Sequence, residues 1–193
     1  MFESVHTLLS ALGDVGTALA EAGESVRVVV IGGAALLLLD DSPGASTRDI
    51  DVAAVLSPDN TPVTDAELPP ALTKAATQVA RIRGLGPGWF NNSVVLSFGV
   101  QLPEGAISRG TEHHFGGLTV IAVSRIDLIA LKFYAAVGRS FDVTERHALD
   151  LERLRPTAHE LEFAERWART RLTDPSAFAE QILDLNDRLM PDE

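Results

Sequence analysis

Apolar residues recur along this chain in two rhythms, and the switches between them mark out its elements. Phe2, Val5, Leu8, Leu9, Leu12, Val15 and Leu19 fall at the spacing of one helical face and predict an amphipathic helix ending near Gly23. From Arg27 to Ile31 the chain is apolar and β-branched, which predicts a strand buried on both faces. Gly33 to Leu39 reads as a short helix, Asp40 to Ser46 as a polar loop, and Asp49 to Leu56 as a second strand. Prolines and polar residues make Ser57 to Pro70 a loop, and Ala71 to Arg83 reads as a helix broken by Gly84-Leu85-Gly86-Pro87-Gly88. Ser93 to Gln101 reads as a third strand. Leu118 to Val123 reads as a fourth, after a polar stretch containing Glu112, His113 and His114.

The C-terminal third carries helix-start signals. Ser124-Arg125-Ile126-Asp127 fits a capping box and opens a helix to about Val137. Asp142-Val143-Thr144-Glu145 is a second box, for a helix to about Leu154, and Thr157-Ala158-His159-Glu160 is a third, just after Pro156. Thr173-Asp174-Pro175 begins the last helix, with proline near its first turn. The expected fold is α+β: a small mixed sheet with flanking helices over residues 1–123, then a helical segment over 124–193 packed on the core as a single unit.

Composition narrows the setting. Without cysteine there are neither disulfides nor thiolate metal sites. The stretch Met1-Phe2-Glu3-Ser4-Val5-His6 has no basic region ahead of an apolar core, so no signal peptide is expected. The longest apolar run, Ala34 to Leu39, is too short to span a bilayer, so the expectation is a soluble cytoplasmic protein with no membrane partner. The net charge of −11 argues against a nucleic-acid partner, but its distribution does not. Residues 1–70 carry −9 and 156–193 carry −5, whereas 71–155 carry +3, which leaves room for a local basic surface or for ordinary solvated helix faces.

The candidate chemistry lies where the first two strands meet. The run Val28-Val29-Val30-Ile31 ends in Gly32-Gly33, and the second strand opens as Thr47-Arg48-Asp49-Ile50-Asp51-Val52. Residues i and i+2 of a strand share a face, so Asp49 and Asp51 point the same way. Two carboxylates aimed at one spot repel unless a cation lies between them, and Mg²⁺ prefers carboxylate and phosphate oxygens. Aspartate is also depleted in strands, and Asp51 sits between two apolar residues, where it needs a partner. The glycine pair lets backbone approach a bulky anion, though a tight strand-to-helix turn would use it equally well. It is neither a dinucleotide fingerprint nor a Walker A loop, because Ala34, Ala35 and Leu36 follow it. His113 and His114 are adjacent and would face opposite sides of a strand, so they do not share an ion. Trp89 and Phe90 either stack a base or plug the edge of the core.

Glycine-glycine after a strand, then Thr-x-Asp-x-Asp opening the next, resembles the DNA polymerase β-like nucleotidyltransferases. Asp127-Leu128-Ile129-Ala130-Leu131-Lys132-Phe133-Tyr134-Ala135-Ala136 and Arg146-His147-Ala148-Leu149-Asp150-Leu151 resemble the small AbiEii/MenT-type branch of bacterial toxin–antitoxin systems. The resemblance covers about residues 25–155. It implies an enzyme that transfers a nucleotide from a nucleoside triphosphate to an acceptor such as tRNA, with a cognate antitoxin as a protein partner. On this likeness Asp49 and Asp51 would hold Mg²⁺, Gly32, Gly33 and Thr47 would hold the triphosphate, Lys132 would contact the phosphates, and Asp150 would support the site. Apart from the resemblance, Lys132 reads as a lysine snorkelling from an amphipathic helix, and Asp150 as an i,i+4 salt-bridge partner of Arg146.

The chain departs from the wider superfamily in one respect. A third metal-binding carboxylate is implied on a later strand, and the expected strand Ser93 to Gln101 has no acid. A nucleotidyltransferase fold that binds without turnover, or a metal-dependent phosphohydrolase that activates water, therefore stands beside the transferase.

Overall fold

The structure is a computed structural model that describes the chain except residues 40–45, 65, 100, 138–140, 173, 175, 177 and 191–193, and except the side chains of 98 and 141–144. The expected polar loop from Asp40 falls largely outside the described residues. Contacts divide the chain into two compact units, Met1–Ser124 and Arg125–Glu193.

The first unit runs α1 (Val5–Glu21), β1 (Val26–Ile31), α2 (Gly32–Leu38), β2 (Ile50–Leu56), β3 (Pro62–Val63), α3 (Pro70–Arg83), β4 (Phe90–Asn91), α4 (Ser93–Phe98), α5 (Ala106–Arg109), β5 (Thr111–Phe115) and β6 (Leu118–Ala122). The second holds α6 (Arg125–Val137), α7 (Phe141–Leu154), α8 (Ala158–Arg169) and α9 (Ala179–Leu189). The α+β expectation holds. The strands form one mixed sheet in the order β3-β2-β1-β6-β5, with β4 pairing alongside β2. β1 is central, antiparallel to β2 and parallel to β6. Its position explains the unbroken apolar run: Val28, Val29 and Val30 are fully buried, each such side chain contributing about 1.5–3 kcal/mol of burial.

Helix α1 starts at Ser4, whose hydroxyl accepts the Thr7 N–H and so satisfies one of the helix's open donors. It lays Leu8, Leu12, Val15 and Leu19 against the sheet side of the unit. Its closest approach is to the β5–β6 turn. A Cβ on Gly16 would overlap the Phe115 carbonyl, and the Gly117 N–H donates to the Gly16 carbonyl at 2.9 Å. Glycine here is a packing requirement.

In the second unit α6 is buried on nearly all sides, with Leu128, Ile129 and Phe133 inaccessible. It packs on α7 and α8, and α9 touches α6 and α7. Arg125 ties one end together. Its guanidinium donates to Glu160 at 2.9 Å and to the Leu154 carbonyl at the end of α7 at 2.5 Å. Glu160 also completes the capping box with Thr157 that the sequence predicts. Arg188 of α9 pairs with Glu145 at 3.0 Å and with Glu152, both on α7.

Four sequence expectations are corrected. Ser93 to Gln101 is not a strand: α4 occupies Ser93–Phe98 and ends at Gly99 in the left-handed region. Asn91 accepts the Ser93 N–H at 2.9 Å, which turns the chain into a helix, and Leu96 is exposed where a buried strand would hide it. The polar stretch with Glu112, His113 and His114 is the edge strand β5, whose side chains are exposed or half-buried, so it carries no hydrophobic signature. Asp142 lies inside α7, and a capping residue must stand outside its helix. The last helix begins at Ala179, not near Thr173, because Asp174 accepts the Ser176 N–H in a turn of its own.

Two adjacent turns of α1 give opposite outcomes on substitution. Gly13 has nothing within 4 Å of an added Cβ, so Gly13→Ala stabilises by about 0.5–1 kcal/mol through helix propensity. Gly16→Ala destabilises by about 1–3 kcal/mol or more, lowering the thermal midpoint by about 2–4 °C per kcal/mol. Circular-dichroism melts of the two variants check this; equal midpoints would refute the packing account.

The Glu160 carboxyl yields a pH prediction. Burial pushes its pKa up, but the Thr157 N–H, then Arg125, outweigh this and hold it below its ordinary 4.5. A carboxylate with a lowered folded pKa stabilises fully above its unfolded value and loses that contribution as pH falls through the folded value. Glu160→Gln is therefore less stable than the parent at neutral pH, and the gap narrows as pH falls below 4.5 through the lowered folded-state value. Unfolding midpoints across that range measure it; a constant gap would contradict the assignment.

Candidate active site

The site forms where β1 ends and β2 begins. Val29 pairs with Ala54, but Val30 pairs with Val52, so an irregularity inserts one extra residue into β2. Beyond it Ile31 faces Asp51. The next residue, Gly32, has φ +69, a left-handed conformation that L side chains resist. A Cβ there would stand 2.7 Å from Asp51 Oδ2. On Gly33 it would stand 2.7 Å from Thr47 Oγ1 and 2.9 Å from Thr47 Cβ. The two glycines therefore pack directly on the two polar side chains that open the second strand.

Thr47 holds the next link. It is 3 % exposed, and its hydroxyl donates to the Asp49 carbonyl at 2.9 Å and lies 3.4 Å from Asp49 Oδ1. Its backbone bridges to Phe2, whose N–H donates to the Thr47 carbonyl at 2.6 Å while the Phe2 carbonyl accepts the Thr47 N–H at 3.0 Å. Behind this lies an aromatic cluster. The Phe2 and Trp89 rings are 5.7 Å apart, and Trp89 and Phe90 are 5.6 Å apart. Trp89 Nε1 donates to the Ala76 carbonyl at 2.9 Å. Trp89 and Phe90 are buried, so the core plug is the reading that holds for them.

The structure thus brings together Gly32, Gly33, Thr47, Asp49 and Asp51. One detail is corrected: Asp51 is in β2, but Asp49 precedes the strand and is placed by Thr47. Both aspartates are half-buried. Among the described residues no cluster of three or more His, Cys, Asp or Glu forms.

Three neighbours of the site escaped the sequence reading. Arg48, between Thr47 and Asp49, is exposed. Asn91 on β4 is the strand partner of Asp51. Phe2 anchors Thr47. Only Arg48 left a trace in the sequence, as the variable residue inside Thr-x-Asp.

Lys132 and Asp150 belong to the second unit, where they meet each other. Lys132 Nζ is 2.5 Å from Asp150 Oδ2. Lys132 is 4 % exposed, which overturns the snorkelling alternative. Among the described residues Asp150 pairs with Lys132 and, at 3.5 Å, with Arg153; the pairing with Arg146 suggested by spacing does not form.

The histidines of β5 stay apart. His113 pairs in register with Val120, and His114 with Thr119. Burial, then the neighbouring His114, holds the His113 pKa down.

Among the described residues no helix is long and apolar enough to cross a membrane. The chain matches no family model, no curated protein and no solved structure.

Removing one partner of a buried ion pair strands the other charge. Lys132→Met and Asp150→Leu each destabilise by about 3 kcal/mol, and the double variant costs much less than their sum. Urea unfolding of the four proteins closes the cycle. Additive costs would show that the pair is not coupled.

Proposed function

We propose that this protein is a minimal Mg²⁺-dependent nucleotidyltransferase of the AbiEii/MenT type, which moves a nucleotide from a nucleoside triphosphate onto an RNA acceptor such as tRNA. The observation that carries this reading is the fit of Gly32 and Gly33 against Asp51 and Thr47. Both glycine positions are closed to any side chain by the groups they face, so the backbone leaving β1 lies directly against Asp51 and Thr47. Two half-buried carboxylates, one of them beside the Thr47 hydroxyl, suit a hard divalent cation, so the residues present fit Mg²⁺.

In this reading Asp49 and Asp51 hold the cation, which supplies charge neutralisation at the reacting phosphate and the leaving pyrophosphate. Thr47 fixes Asp49 through its hydroxyl, and Gly32 and Gly33 let the backbone that the triphosphate would approach lie directly against Asp51 and Thr47. The acceptor hydroxyl oxygen bonds to the α-phosphorus, the bond from that phosphorus to the bridging oxygen breaks, pyrophosphate leaves, and the hydroxyl proton passes to solvent. Lys132 and Asp150, which the AbiEii/MenT likeness would assign to the phosphates and to supporting the site, are engaged with each other within the second unit. A toxin role, a cognate antitoxin and a cytoplasmic site of action come with the AbiEii/MenT likeness and are proposed with it.

Incubation with Mg²⁺, each α-³²P nucleoside triphosphate in turn and total cellular RNA tests the proposal. Label enters RNA from one triphosphate. It is lost in Asp49→Ala/Asp51→Ala and falls at least about tenfold in Gly33→Ala, about 1.4 kcal/mol of lost transition-state stabilisation. Bound nucleotide without labelled product would replace the transferase with a non-catalytic binder. Release of free phosphate or nucleotide without an acceptor would replace it with a phosphohydrolase.

A further inference from the structure

The sheet of the first unit treats its two ends differently. At one end β2 is flanked by β3 and β4, two residues each, and β3 begins with Pro62. Short strands and proline keep an edge from pairing with another chain. The other end is β5, five residues joined to β6 in unshifted register from Thr111↔Ala122 to Phe115↔Leu118. β5 packs on β6 and α1, and among the described residues no strand lies on its outer side. It contains no proline, lysine or bulge. A regular edge of this kind presents a row of open backbone N–H and C=O groups.

That edge is complementary to itself. Alternate residues of an antiparallel strand turn their backbone groups toward the same neighbour. Two copies of β5 therefore meet about a two-fold axis that passes through a residue, not between residues. Centred on Glu112, the axis sets two glutamates opposite each other, which like charges resist. Centred on His114, it sets two histidines together and leaves Glu112 facing the Gly116 turn. Centred on His113, it pairs every residue of the strand: Thr111 with Phe115, Glu112 with His114, and His113 with its own copy.

The side chains suit this last register. Glu112 and His114 are both exposed. His114 Nδ1 lies 3.2 Å from Thr119 Oγ1 on β6, which holds the ring, and its Nε2 is 3.6 Å from Glu112 Oε2. Glu112 Oε1 is taken by Arg27 at 2.6 Å, so Oε2 is the oxygen turned to histidine. A second copy brings its own His114 directly across from that carboxylate. Burial, then His114, holds the His113 pKa down, so the two rings that meet on the axis do not repel at neutral pH.

We propose that β5 pairs with β5 of a second copy of this chain, antiparallel about a two-fold axis through His113, joining the two sheets and matching Glu112 of each copy with His114 of the other. The interface is isologous, so each glutamate–histidine pair occurs twice.

Sedimentation velocity of the full chain over a concentration series tests this, with circular dichroism showing that each variant is folded. The parent forms a dimer as concentration rises. His114→Glu sets glutamate against Glu112 and raises the dissociation constant at least about tenfold. Glu112→Lys/His114→Lys sets lysine against lysine and is also monomeric. Mixing these two variants restores a one-to-one dimer, because each glutamate then faces a lysine. The chain has no cysteine, so a single introduced cysteine reads the register independently of charge. His113→Cys crosslinks under mild oxidation, since Cα atoms about 4.5–5.5 Å apart across the axis suit a disulfide. Thr111→Cys is more exposed but displaced from its own copy by about 13 Å along the strand, and does not crosslink. A dimer indifferent to His114→Glu, or crosslinking at Thr111 and not at His113, would overturn the pairing. A parent that stays monomeric would overturn it too, and would leave the edge to a strand of a different protein.

Discussion

One inserted residue in the β1–β2 ladder organises the candidate site. Strand pairing repeats every two residues, so a shift of one exchanges the faces of everything beyond it. Past Val30 the partner of Ile31 is Asp51, where an unshifted ladder would supply Val52. The shift turns a carboxylate, and not a valine, toward the chain leaving β1. That chain can pass only as glycine, first at Gly32 and then at Gly33. Thr47 and Asp49 follow from the same geometry, because the segment entering β2 is pinned where Thr47 meets Gly33. Bulges are common beside functional sites for this reason: they re-aim one side chain without disturbing the rest of a strand.

Much of this was legible in the sequence, and the remainder was hidden for identifiable reasons. The apolar runs of β1 and β6 and the helical spacing of α1 announce themselves because those elements are buried in the first unit's core. Gly32, Gly33, Thr47, Asp49 and Asp51 stood out because each violates what a buried strand and its exit turn need by themselves. Three kinds of element stayed hidden. Edge strand β5 buries too little to show a pattern. Helix α4 is six residues long, and its Val94-Val95-Leu96 run is β-like in composition, so the local hydrogen bond from Asn91 decided its conformation. Phe2 and Asn91 join the site through long-range pairing, which no local pattern encodes.

The second unit is held by a different kind of interaction. Its core helix α6 buries a lysine as well as leucines and a phenylalanine, and that lysine is tolerated because Asp150 on α7 meets it. Arg125 performs a similar service at the other end of the chemistry scale, satisfying backbone carbonyls at the end of α7 and a carboxylate that caps α8. Ion pairs here join α6 to α7 and α8, and α9 to α7, while apolar burial supplies the cohesion.

The backbone bridge between Phe2 and Thr47 couples parts of the unit that lie far apart in sequence. The threonine that places Asp49 is clamped by Phe2, and the ring of Phe2 is wedged against Trp89. The position of the Asp49 carboxylate is therefore set by aromatic packing as well as by the strand it precedes, and a change in that packing reaches it without touching either aspartate.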